Sequence, residues 1–408
     1  MSRAQVVVVG AGAAGLMAAV FAARAGAAVV VVERTRRGGK KIVVSGGGRC
    51  NVLPADVDVG RFVTDSSPNT LRRILRTWPL EAQRRFFEDD LGVPLAREGP
   101  KLFPASNRAT DVRDALVGAA AAAGAELRFA TDVTDLRPEA GRWTVETDGG
   151  ALGADRVVLA TGGLSVPKTG SDGFGLARAR RLGHALVPTY PALTPLTAGG
   201  ASGVSPHAAL SGVSLDVAVA APAGKRGVAT AGGFLFTHRG YSGPAVLDVS
   251  HLTTLSRERG DGAQPVRVAW TGRSEAEWDA ELRRHGPESL AGLLRAALPA
   301  RLADALLAEA GVAPERTRAE LRRDERRRLA RALGAYPLPW TGDEGYKKAE
   351  VTGGGVPLGE VHPGTLESRR APGLYLCGEL LDAFGPIGGY NFLWAWATGR
   401  LAGLAAAG

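Results

Sequence analysis

The fold is decided near the start of the chain by the stretch Gln5-Val-Val-Val-Val-Gly10-Ala-Gly12-Ala-Ala-Gly15. The valine run is typical of a strand that is buried on both faces of a parallel sheet. Residues 16–25 then have the pattern of a helix, and residues 28–32 that of a second strand, which ends in Glu33. This strand–helix–strand order predicts a dinucleotide-binding βαβ unit.

Each glycine of the motif has a physical role in such a unit. Gly10 permits a tight turn, Gly12 lets backbone N–H groups approach a pyrophosphate, and Gly15 lets the helix pack on the strand. The helix N-terminus faces the phosphates with its partial positive charge. Glu33 can accept a hydrogen bond from a ribose 2′-OH and would repel a 2′-phosphate, so FAD or NAD fits and NADP does not. The alternative is a glycine-rich turn without a ligand.

The composition is that of a globular chain with more than one domain. The 408 residues are 45% hydrophobic and 22% charged, which suggests two or three domains and argues against disorder. The two cysteines, Cys50 and Cys377, form no disulfide framework, and with six histidines they argue against a structural zinc site. This cysteine usage fits a reducing cytoplasm. No apolar run reaches the about 18 residues of a membrane span, so no membrane-spanning helix is expected.

Positive charge is concentrated at the start of the chain. The whole chain carries +9, and residues 1–50 hold eight Lys or Arg residues against Glu33 alone, a net charge of +7. Such a cluster predicts an anion near residues 34–49. A second basic run, residues 322–328, is interrupted by two acids and indicates either a solvated helix or a contact for a polyanion.

The composition and hydrophobic periodicity of the sequence change along the chain, and these changes indicate the domains. Residues 189–272 hold short valine-rich runs between Gly, Pro and Ser, which indicates a small β domain. Residues 273–335 show Leu, Ala and charged residues at helical spacing, which indicates a helical insertion with a solvated face. We therefore expect a nucleotide-binding domain in two parts, residues 1–188 and 351–408, with a return to the β domain at residues 336–350.

Three further glycine-containing turns favour FAD over NAD. Residues 160–163 (ATGG) follow a predicted strand and resemble a turn of flavoproteins with two dinucleotide-binding folds. Residues 374–379 place Glu379 just past another predicted strand, and residues 388–391 (GGYN) open the last predicted helix. In such flavoproteins the Gly-acid pair holds the ribityl chain, and the last helix points its N-terminus at the N1–C2=O edge of the flavin. No second GxGxxG precedes residue 378, so no separate nicotinamide domain is expected.

A longer set of motifs makes the resemblance specific. The loop GGKKIVVSGGGRCN at residues 38–51 and the segments 160–167, 236–244, 345–352 and 378–396 are similar to signature segments of the HI0933-like flavoproteins, a family that also carries the aminoacetone-oxidase label. The resemblance covers nearly the full length. It implies an α/β fold of the two-dinucleotide-binding type: a Rossmann-like FAD domain with an inserted β domain and a helical subdomain.

The motifs and the resemblance together predict a non-covalent FAD site, with NADH or NADPH as a candidate electron donor. The residues expected to bind FAD lie in the glycine turns, near the second strand and in the basic loop. They are Gly10, Gly12, Ala14, Gly15, Glu33, Arg34, Lys40, Lys41, Gly48, Arg49, Val133, Thr161, Gly162, Gly378, Glu379, Gly389, Asn391 and Phe392. Among them, Lys40, Lys41 and Arg49 are expected to neutralise the phosphates; alternatively, they contact the substrate.

Three side chains are candidates for catalytic proton transfer, and no metal ligands are predicted. Cys50 lies beside Arg49, and cationic neighbours would favour its thiolate or support proton donation; alternatively, Cys50 fills the loop. His238 lies in the predicted β domain and either faces the flavin or caps a turn. Tyr390 either stacks near the flavin ring or packs against one of the tryptophans that follow it in the last helix.

The resemblance implies an FAD-dependent oxidoreductase, and three kinds of chemistry stay open. Flavin N5 can deliver hydride to a polarised C=C, in a uridine of large-subunit ribosomal RNA (giving dihydrouridine) or in a ring enone such as an oxo-steroid or bile-acid intermediate. Oxidised flavin can instead dehydrogenate an amine, or the protein is a flavin-binding redox sensor without turnover. Positive charge at Arg36, Arg37 and residues 322–328 favours a contact with RNA. The oligomeric state stays open.

Overall fold

The computed structural model describes residues 4–199, 203–223, 226–260, 264–284 and 286–408. The strands in these ranges are β1 (Gln5–Val9), β2 (Ala28–Glu33), β3 (Leu53–Pro54), β4 (Leu95–Glu98), β5 (Lys101–Pro104), β6 (Glu126–Phe129), β7 (Val133–Glu139), β8 (Arg142–Thr147), β9 (Gly150–Ala154), β10 (Arg156–Leu159), β11 (Val187–Ala192), β12 (Leu196–Thr197), β13 (Ser214–Ala223), β14 (Arg226–Phe236), β15 (Gly240–Ser242), β16 (Arg267–Ala269), β17 (Tyr336–Pro337), β18 (Gly342–Asp343), β19 (Val351–Gly355) and β20 (Leu374–Leu376). The helices are α1 (Ala13–Arg24), α2 (Lys40–Val44), α3 (Pro68–Arg76), α4 (Leu80–Arg85), α5 (Ala109–Ala122), α6 (Phe174–Arg181), α7 (Pro244–Arg259), α8 (Glu275–Glu281), α9 (Leu290–Arg295), α10 (Ala300–Ala310), α11 (Arg323–Gly334) and α12 (Tyr390–Ala407).

Two units make up the chain. The first unit is Met1–Thr189 together with Glu350–Gly408, and the second is Tyr190–Ala349. The expected division of the second unit into a β domain and a helical subdomain stays a prediction.

A parallel five-stranded sheet in the order β20-β10-β1-β2-β6 forms the centre of the first unit. In the central strand β1, Val7 lies opposite Val157 on one side and Val30 on the other. The four valines of β1 are at most 3% exposed, as expected for a strand covered on both faces. Because the strands are parallel, the loops that follow them leave the sheet along one edge.

The helices α1 and α12 pack closely against each other beside this sheet. A Cβ on Gly399 or Gly403 of α12 would overlap the carbonyl oxygen of Ala14 or Ala18 in α1. These small residues, spaced four apart on each helix, therefore bring the two backbones into contact. A methyl group at either glycine would cost about 1–3 kcal/mol of unfolding free energy by overpacking.

The helix α1 begins within the glycine motif, three residues before the predicted start at residue 16. Gly12 is the N-cap, with extended backbone angles, and the amide of Leu16 donates to its carbonyl oxygen at 2.9 Å. The motif is thus both the turn after β1 and the first turn of the helix, so the sequence pattern placed the boundary too late.

Smaller sheets complete the first unit. One antiparallel sheet has the order β3-β5-β4, and another has the order β7-β8-β9. The strands β11 and β19 pair with each other.

The second unit contains a seven-stranded sheet in the order β17-β16-β13-β14-β15-β12-β18, with antiparallel neighbours. The helix α7 packs on β13 and β14, and α11 packs against α8 and α10. Its core is aromatic: the ring of Phe236 stacks on Trp270 at 5.5 Å, and Phe234 meets Trp270 edge-on at 5.2 Å. The second unit therefore contains strands in the valine-rich part of its sequence and helices in the part with helical spacing.

Two kinds of feature are absent from the part of the chain that the structure describes. In that part of the chain, no helix is long and apolar enough to cross a membrane. Within the same ranges, no group of three or more His, Cys, Asp or Glu side chains is arranged to hold a metal ion.

Candidate functional site

Loops after four parallel strands meet at one edge of the sheet in the first unit. Gly10 follows β1, Glu33 ends β2, Ala160 follows β10 and Cys377 follows β20. The amide of Ala160 donates to the carbonyl oxygen of Val9 at 2.9 Å, which ties two of these loops together. In open α/β sheets, ligands bind in the crevice at this edge.

The three motif glycines differ in their surroundings. Gly10 has φ +99°, and a Cβ on it would lie 2.8 Å from the carbonyl oxygen of Ala160. A Cβ on Gly15 would overlap the carbonyl oxygen of Gly10. Gly12 has φ −77°, and a Cβ on it would meet no atom of the described residues within 4 Å. The fold itself requires glycine at positions 10 and 15, whereas the space above Gly12 is available to a ligand.

The amino end of α1 presents hydrogen-bond donors to that space. No side chain of the described chain caps the helix, and its first turn holds no acid. The first N–H groups of a helix have no partner within it and carry partial positive charge. Nearby turns contribute two buried side-chain oxygens, Thr161 Oγ1 and Asn51 Oδ1, that have no hydrogen-bond partner in the described residues. The residues present therefore fit a dinucleotide, whose phosphates accept and whose hydroxyls donate.

Glu33 holds the end of β2 against the glycine turn. Its Oε2 accepts a hydrogen bond from the amide of Ala11 at 2.8 Å, and its Oε1 accepts one from the amide of Thr35 at 2.8 Å. A carboxylate oxygen has a second acceptor position. Glu33 is thus fixed in place and able to accept from a ribose hydroxyl, the role predicted for it.

Glu379 forms an ion pair with Lys41 just past β20. Lys41 Nζ donates to Glu379 Oε2 at 2.6 Å and to Ser165 Oγ at 2.5 Å. Glu379 Oε1 accepts from Ser165 Oγ at 2.6 Å and from the amide of Thr352 at 2.9 Å. Burial alone would raise the pKa of Glu379, but the Lys41 ammonium and these hydrogen bonds outweigh burial and lower the pKa.

This ion pair bears on the predicted role of Lys41, which stays a prediction, and it brings two further residues into the site. Lys41 was expected to neutralise cofactor phosphates, but in the structure its ammonium is paired with Glu379. Ser165 and Thr352 were missed as site residues. Their only sequence signal was their place as polar residues in the segments 160–167 and 345–352 that resemble the family.

Other charges of the basic loop are neutralised within the fold. Arg49 pairs with Glu98, with Nη1 and Oε1 3.2 Å apart, and its guanidinium lies 4.0 Å from the centre of the Phe103 ring. Arg49 is thus ion-paired within the fold, and whether it also neutralises FAD phosphates stays a prediction.

Arg34 is also paired. It forms ion pairs with Asp132, with Nη2 and Oδ2 3.0 Å apart, and with Asp172. These acids raise the pKa of Arg34: the hydrogen bond to Asp172 has the largest effect, and burial partly opposes it. Arg34 thus joins β2 to two other loops of the unit.

The remaining cations of this region are free. Arg36, Arg37 and Lys40 are exposed, and none of them has a side-chain ion pair within the described residues. Arg3 lies outside the described residues. Fewer of the charges at residues 1–50 are therefore available to a ligand than the net charge of +7 suggests.

The arginines of residues 322–328 are largely ion-paired, which favours the solvated-helix interpretation. The pairs are Arg322–Glu325 (2.9 Å), Arg326–Asp279 (2.9 Å) and Arg328–Asp324 (2.8 Å). Arg323 and Arg327 are exposed and have no ion pair in the part of the chain that the structure describes.

Cys50 is a buried thiol, which favours the loop-filling alternative over a thiolate. Its side chain has no exposed surface. Burial raises the pKa of Cys50 to about 12, and a hydrogen bond with Ser45 only partly opposes this rise. The neighbouring Arg49 does not stabilise a thiolate because its guanidinium binds Glu98. A side chain without accessible surface fills the loop, the alternative stated for Cys50.

Tyr390 begins α12 and is held by the fold. It is 5% exposed, and its hydroxyl accepts from the amide of Asp58 at 3.2 Å and donates to the carbonyl oxygen of Asp56 at 3.4 Å. Its ring packs 5.5 Å from the ring of Phe62. The packing interpretation of Tyr390 is favoured, although the partner is this phenylalanine and not the expected tryptophan.

The turn before α12 positions the amino end of that helix. Gly389 has φ +97°, and a Cβ there would overlap the backbone of Leu53. The side chain of Asn391 bonds to both backbone groups of Gly385, at 2.9 Å and 3.0 Å. Phe392 stacks on Trp396. In the described chain no side chain caps α12, and its first turn holds no acid, so its first N–H groups are open to an anionic partner.

His238 lies in the turn between β14 and β15 of the second unit. Thr237 Oγ1, which accepts from the amides of Arg239 and Gly240, closes this turn, so the capping role considered for His238 is not seen. His238 is exposed and makes no hydrogen bond in the described residues.

The other predicted cofactor residues lie in the glycine turns or beside them. Gly378 has φ +73° and packs on Ala14, the second residue of α1. Gly162 also has φ +73°, and Gly48 has φ +88° with open space above it in the described chain. Val133 is the buried first residue of β7. Whether these residues contact FAD stays a prediction.

The site has the features of a dinucleotide-binding flavoprotein: a parallel sheet, open space at Gly12 and uncapped amino ends of α1 and α12. The family model for the HI0933-like protein Rossmann domain matches residues 4–405. The chain belongs to this family, as the signature segments indicated, and it is an FAD-dependent oxidoreductase.

Two curated relatives and one solved structure are similar over most of the chain. A 3-dehydro-bile acid delta(4,6)-reductase of Clostridium scindens is 34% identical over 88% of this chain and 88% of its own length. A ribosomal RNA dihydrouridine synthase of Escherichia coli is 30% identical over 98% of this chain and 96% of its own length. The open form of a flavocytochrome c3 fumarate reductase superposes with a TM-score of 0.52 at 18% identity, over 100% of this chain and 78% of that one. That last likeness shows the fold alone and confirms the predicted fold class.

Proposed function

We propose that this protein reduces a C=C bond conjugated with a carbonyl group, and that its substrate is a uridine of large-subunit ribosomal RNA. The proposal is carried by the similarity to the ribosomal RNA dihydrouridine synthase, which spans 98% of this chain and 96% of the relative. The names of both curated relatives describe saturation of a conjugated C=C, so the reaction type follows from either.

The chemistry divides between the cofactor and the chain. FAD held by the chain would supply hydride chemistry, with NADH or NADPH as the source of electrons and the β-carbon of the conjugated alkene as the acceptor. An acid must then supply a proton to the α-carbon, so that two electrons and two hydrogens are added in total.

The chain's own residues are proposed to hold FAD at the carboxyl edge of the sheet. The space above Gly12 and the N–H groups of α1 receive the pyrophosphate, and Glu33 accepts from the adenosine ribose. Glu379, fixed by Lys41, would hold the ribityl chain, and the amino end of α12 would interact with the flavin edge. There the positive end of the helix stabilises the negative charge that reduction places on the flavin.

The substrate proposal draws on charge as well as similarity. Arg36, Arg37 and Lys40 are exposed and unpaired in the described residues, and the chain carries +9 overall. A uracil must leave its stack before a flavin can reach its ring, so a contact to the RNA backbone is needed to hold it there. This substrate would place the protein in the cytoplasm.

A ring enone is the second candidate substrate. It is favoured by the 34% identity to the bile acid reductase. A small enone carries no phosphates, so its reduction would depend little on salt, whereas RNA binding weakens by about 0.7 log units per tenfold salt for each single-strand phosphate contact.

The deciding experiment compares ribosomal RNA from a deletion strain and its parent by nucleoside mass spectrometry. We expect the deletion to lose one dihydrouridine and the restored gene to return it. Purified holoenzyme with NADPH or NADH should form dihydrouridine in RNA from the deletion strain. Unchanged RNA together with turnover of a ring enone would reject the RNA substrate, and oxygen consumption with aminoacetone would reject the reductase assignment.

A further inference from the structure

The helix α3 carries an arginine face that the sequence patterns did not single out. Its apolar residues Leu71, Ile74 and Leu75 are buried, at most 6% exposed. The opposite face presents Arg72, Arg73 and Arg76 to solvent, and the helix contains no acid. The three guanidinium groups therefore form one exposed positive surface, here named the α3 arginine face.

This face differs from the other arginine-rich helix in its lack of ion pairs. Arg72 donates to the neutral side chain of Asn69 at 3.0 Å. Arg73 and Arg76 have no hydrogen bond or ion pair within the described residues. In α11, by contrast, Asp279 and Asp324 neutralise two of the five arginines. A free guanidinium presents five N–H donors in a planar fork that matches a phosphate group.

The α3 arginine face is tied to the candidate flavin site by buried hydrogen bonds. Asp382, three residues after Glu379, is 3% exposed and accepts from Ser66 Oγ at 3.0 Å and from Thr64 Oγ1 at 3.1 Å. The helix α3 begins two residues after Ser66. The chain also bridges Val63 to the loop that leads into α12. Whatever binds this face is thus held at a fixed position relative to the loop after β20.

We propose that the α3 arginine face binds the phosphate backbone of the RNA substrate next to the reacting uridine. This inference rests on the proposed function. A membrane surface is disfavoured, because an interfacial helix exposes its apolar face and α3 buries that face in the first unit. In the described residues the exposed large hydrophobic side chains lie elsewhere in the chain, at Val44, Val57, Val204 and Leu235.

The test compares two double charge reversals with the same spacing. Arg72→Glu with Arg76→Glu alters the α3 arginine face, and Arg323→Glu with Arg327→Glu alters two free arginines of α11 four residues apart. The holoenzymes are titrated into a fluorescein-labelled single-stranded oligouridylate, and binding is followed by anisotropy at several salt concentrations. The flavin absorbance spectrum and the thermal unfolding midpoint show whether each variant is folded and binds FAD. If the charge reversal impairs folding, the milder pair Arg72→Gln with Arg76→Gln replaces it in the titration.

We expect the α3 pair to weaken binding roughly 25-fold near 0.1 M salt and to reduce the salt slope by about 1.4, since two contacts of about 0.7 log units each are lost. The α11 pair should bind like the unaltered protein, and both variants should keep the flavin spectrum. Equal binding by both variants, or a loss confined to the α11 pair, would overturn the inference. If the unaltered protein forms no dihydrouridine in ribosomal RNA, the proposed function fails instead, and the two failures are distinguishable.

Discussion

Replacing Gly12 by alanine should remove FAD binding without harming the fold. Gly12 has φ −77°, which alanine adopts freely, and its Cβ would meet no described atom within 4 Å. A Gly→Ala change stabilises the folded protein by about 0.4–1 kcal/mol, because it reduces the conformational freedom of the unfolded chain. Alanine as the N-cap residue stabilises a helix less than glycine does, by a similar amount. We therefore expect the free energy of unfolding of the apo-protein to change by less than about 1 kcal/mol.

The effect on the cofactor should be much larger. The added methyl group occupies the space through which the pyrophosphate reaches the N–H groups of α1. A hydrogen bond to a charged group contributes about 1.5–3 kcal/mol, so losing two costs about 3–6 kcal/mol. At 1.4 kcal/mol per factor of ten, the Kd for FAD should rise roughly 10²- to 10⁴-fold. Titration of apo-protein with FAD, followed by flavin fluorescence, measures this Kd.

Gly15 provides the matched control. A Cβ on Gly15 would overlap the carbonyl oxygen of Gly10, so Gly15→Ala should destabilise the apo-protein by more than the about 1–3 kcal/mol usual for overpacking. Urea unfolding of the apo-proteins should then separate the two variants: Gly12→Ala folds and does not bind, and Gly15→Ala folds poorly. A folded Gly12→Ala protein with a Kd within threefold of the unaltered value would refute the assignment of this space to the pyrophosphate.

Four further outcomes are expected. Glu33→Gln should weaken FAD binding by about 1.5–3 kcal/mol in a titration, because a charged acceptor is lost; an unchanged Kd would exclude the ribose contact. Cys50→Ala should leave kcat unchanged in steady-state assays, since the thiol is fully buried; a 10²–10⁴-fold loss would restore it as the general acid. Arg36→Glu with Arg37→Glu should weaken RNA binding and leave the flavin spectrum unchanged, and equal RNA binding would count against that contact. Lys41→Met should cost the apo-protein about 3–5 kcal/mol at pH 7 in urea unfolding and less near pH 4, because protonation then removes the unpaired charge of Glu379; a loss independent of pH would contradict this account.

The direction of that pH dependence follows from the ion pair. In the unaltered protein the folded-state pKa of Glu379 is lowered, so the stability that it contributes is present above the unfolded pKa of about 4.3 and is lost as pH falls through the folded pKa. Without Lys41, the largest effect that opposes burial is lost, and the folded pKa of Glu379 rises. The carboxylate then destabilises the fold at neutral pH, and the penalty shrinks on acidification.

Local patterns predicted the part of the fold that depends on neighbours in sequence. The valine run, the spacing of Gly10, Gly12 and Gly15, and the acid after the second strand lie within about thirty residues, so their geometry follows from short-range sterics and hydrogen bonding. The structure adds a distinction that the pattern did not contain: Gly10 and Gly15 are required by the protein's own backbone, and Gly12 is not.

Charge partners could not be predicted in the same way. Lys41 and Glu379 are 338 positions apart, and Arg49 and Glu98 are 49 apart, so only the tertiary fold brings them together. The pKa of Cys50 likewise depends on its surroundings in the folded protein and not on its neighbours in sequence. Its neighbours in sequence are cationic, but its surroundings in space are apolar, and burial determines the protonation of its thiol.

The unpaired cations, more than the total charge, therefore indicate where an anion can bind this protein. The fold neutralises Arg34, Lys41 and Arg49 with its own acids, and an ion pair that already exists gives little further attraction to a phosphate. Free positive charge remains at Arg36, Arg37 and Lys40 and on the α3 arginine face. Basic clusters in sequence and free cations in space coincide only in part here, because the fold places acids beside some arginines of a basic cluster and leaves others, such as Arg323 and Arg327, without an ion pair in the described residues.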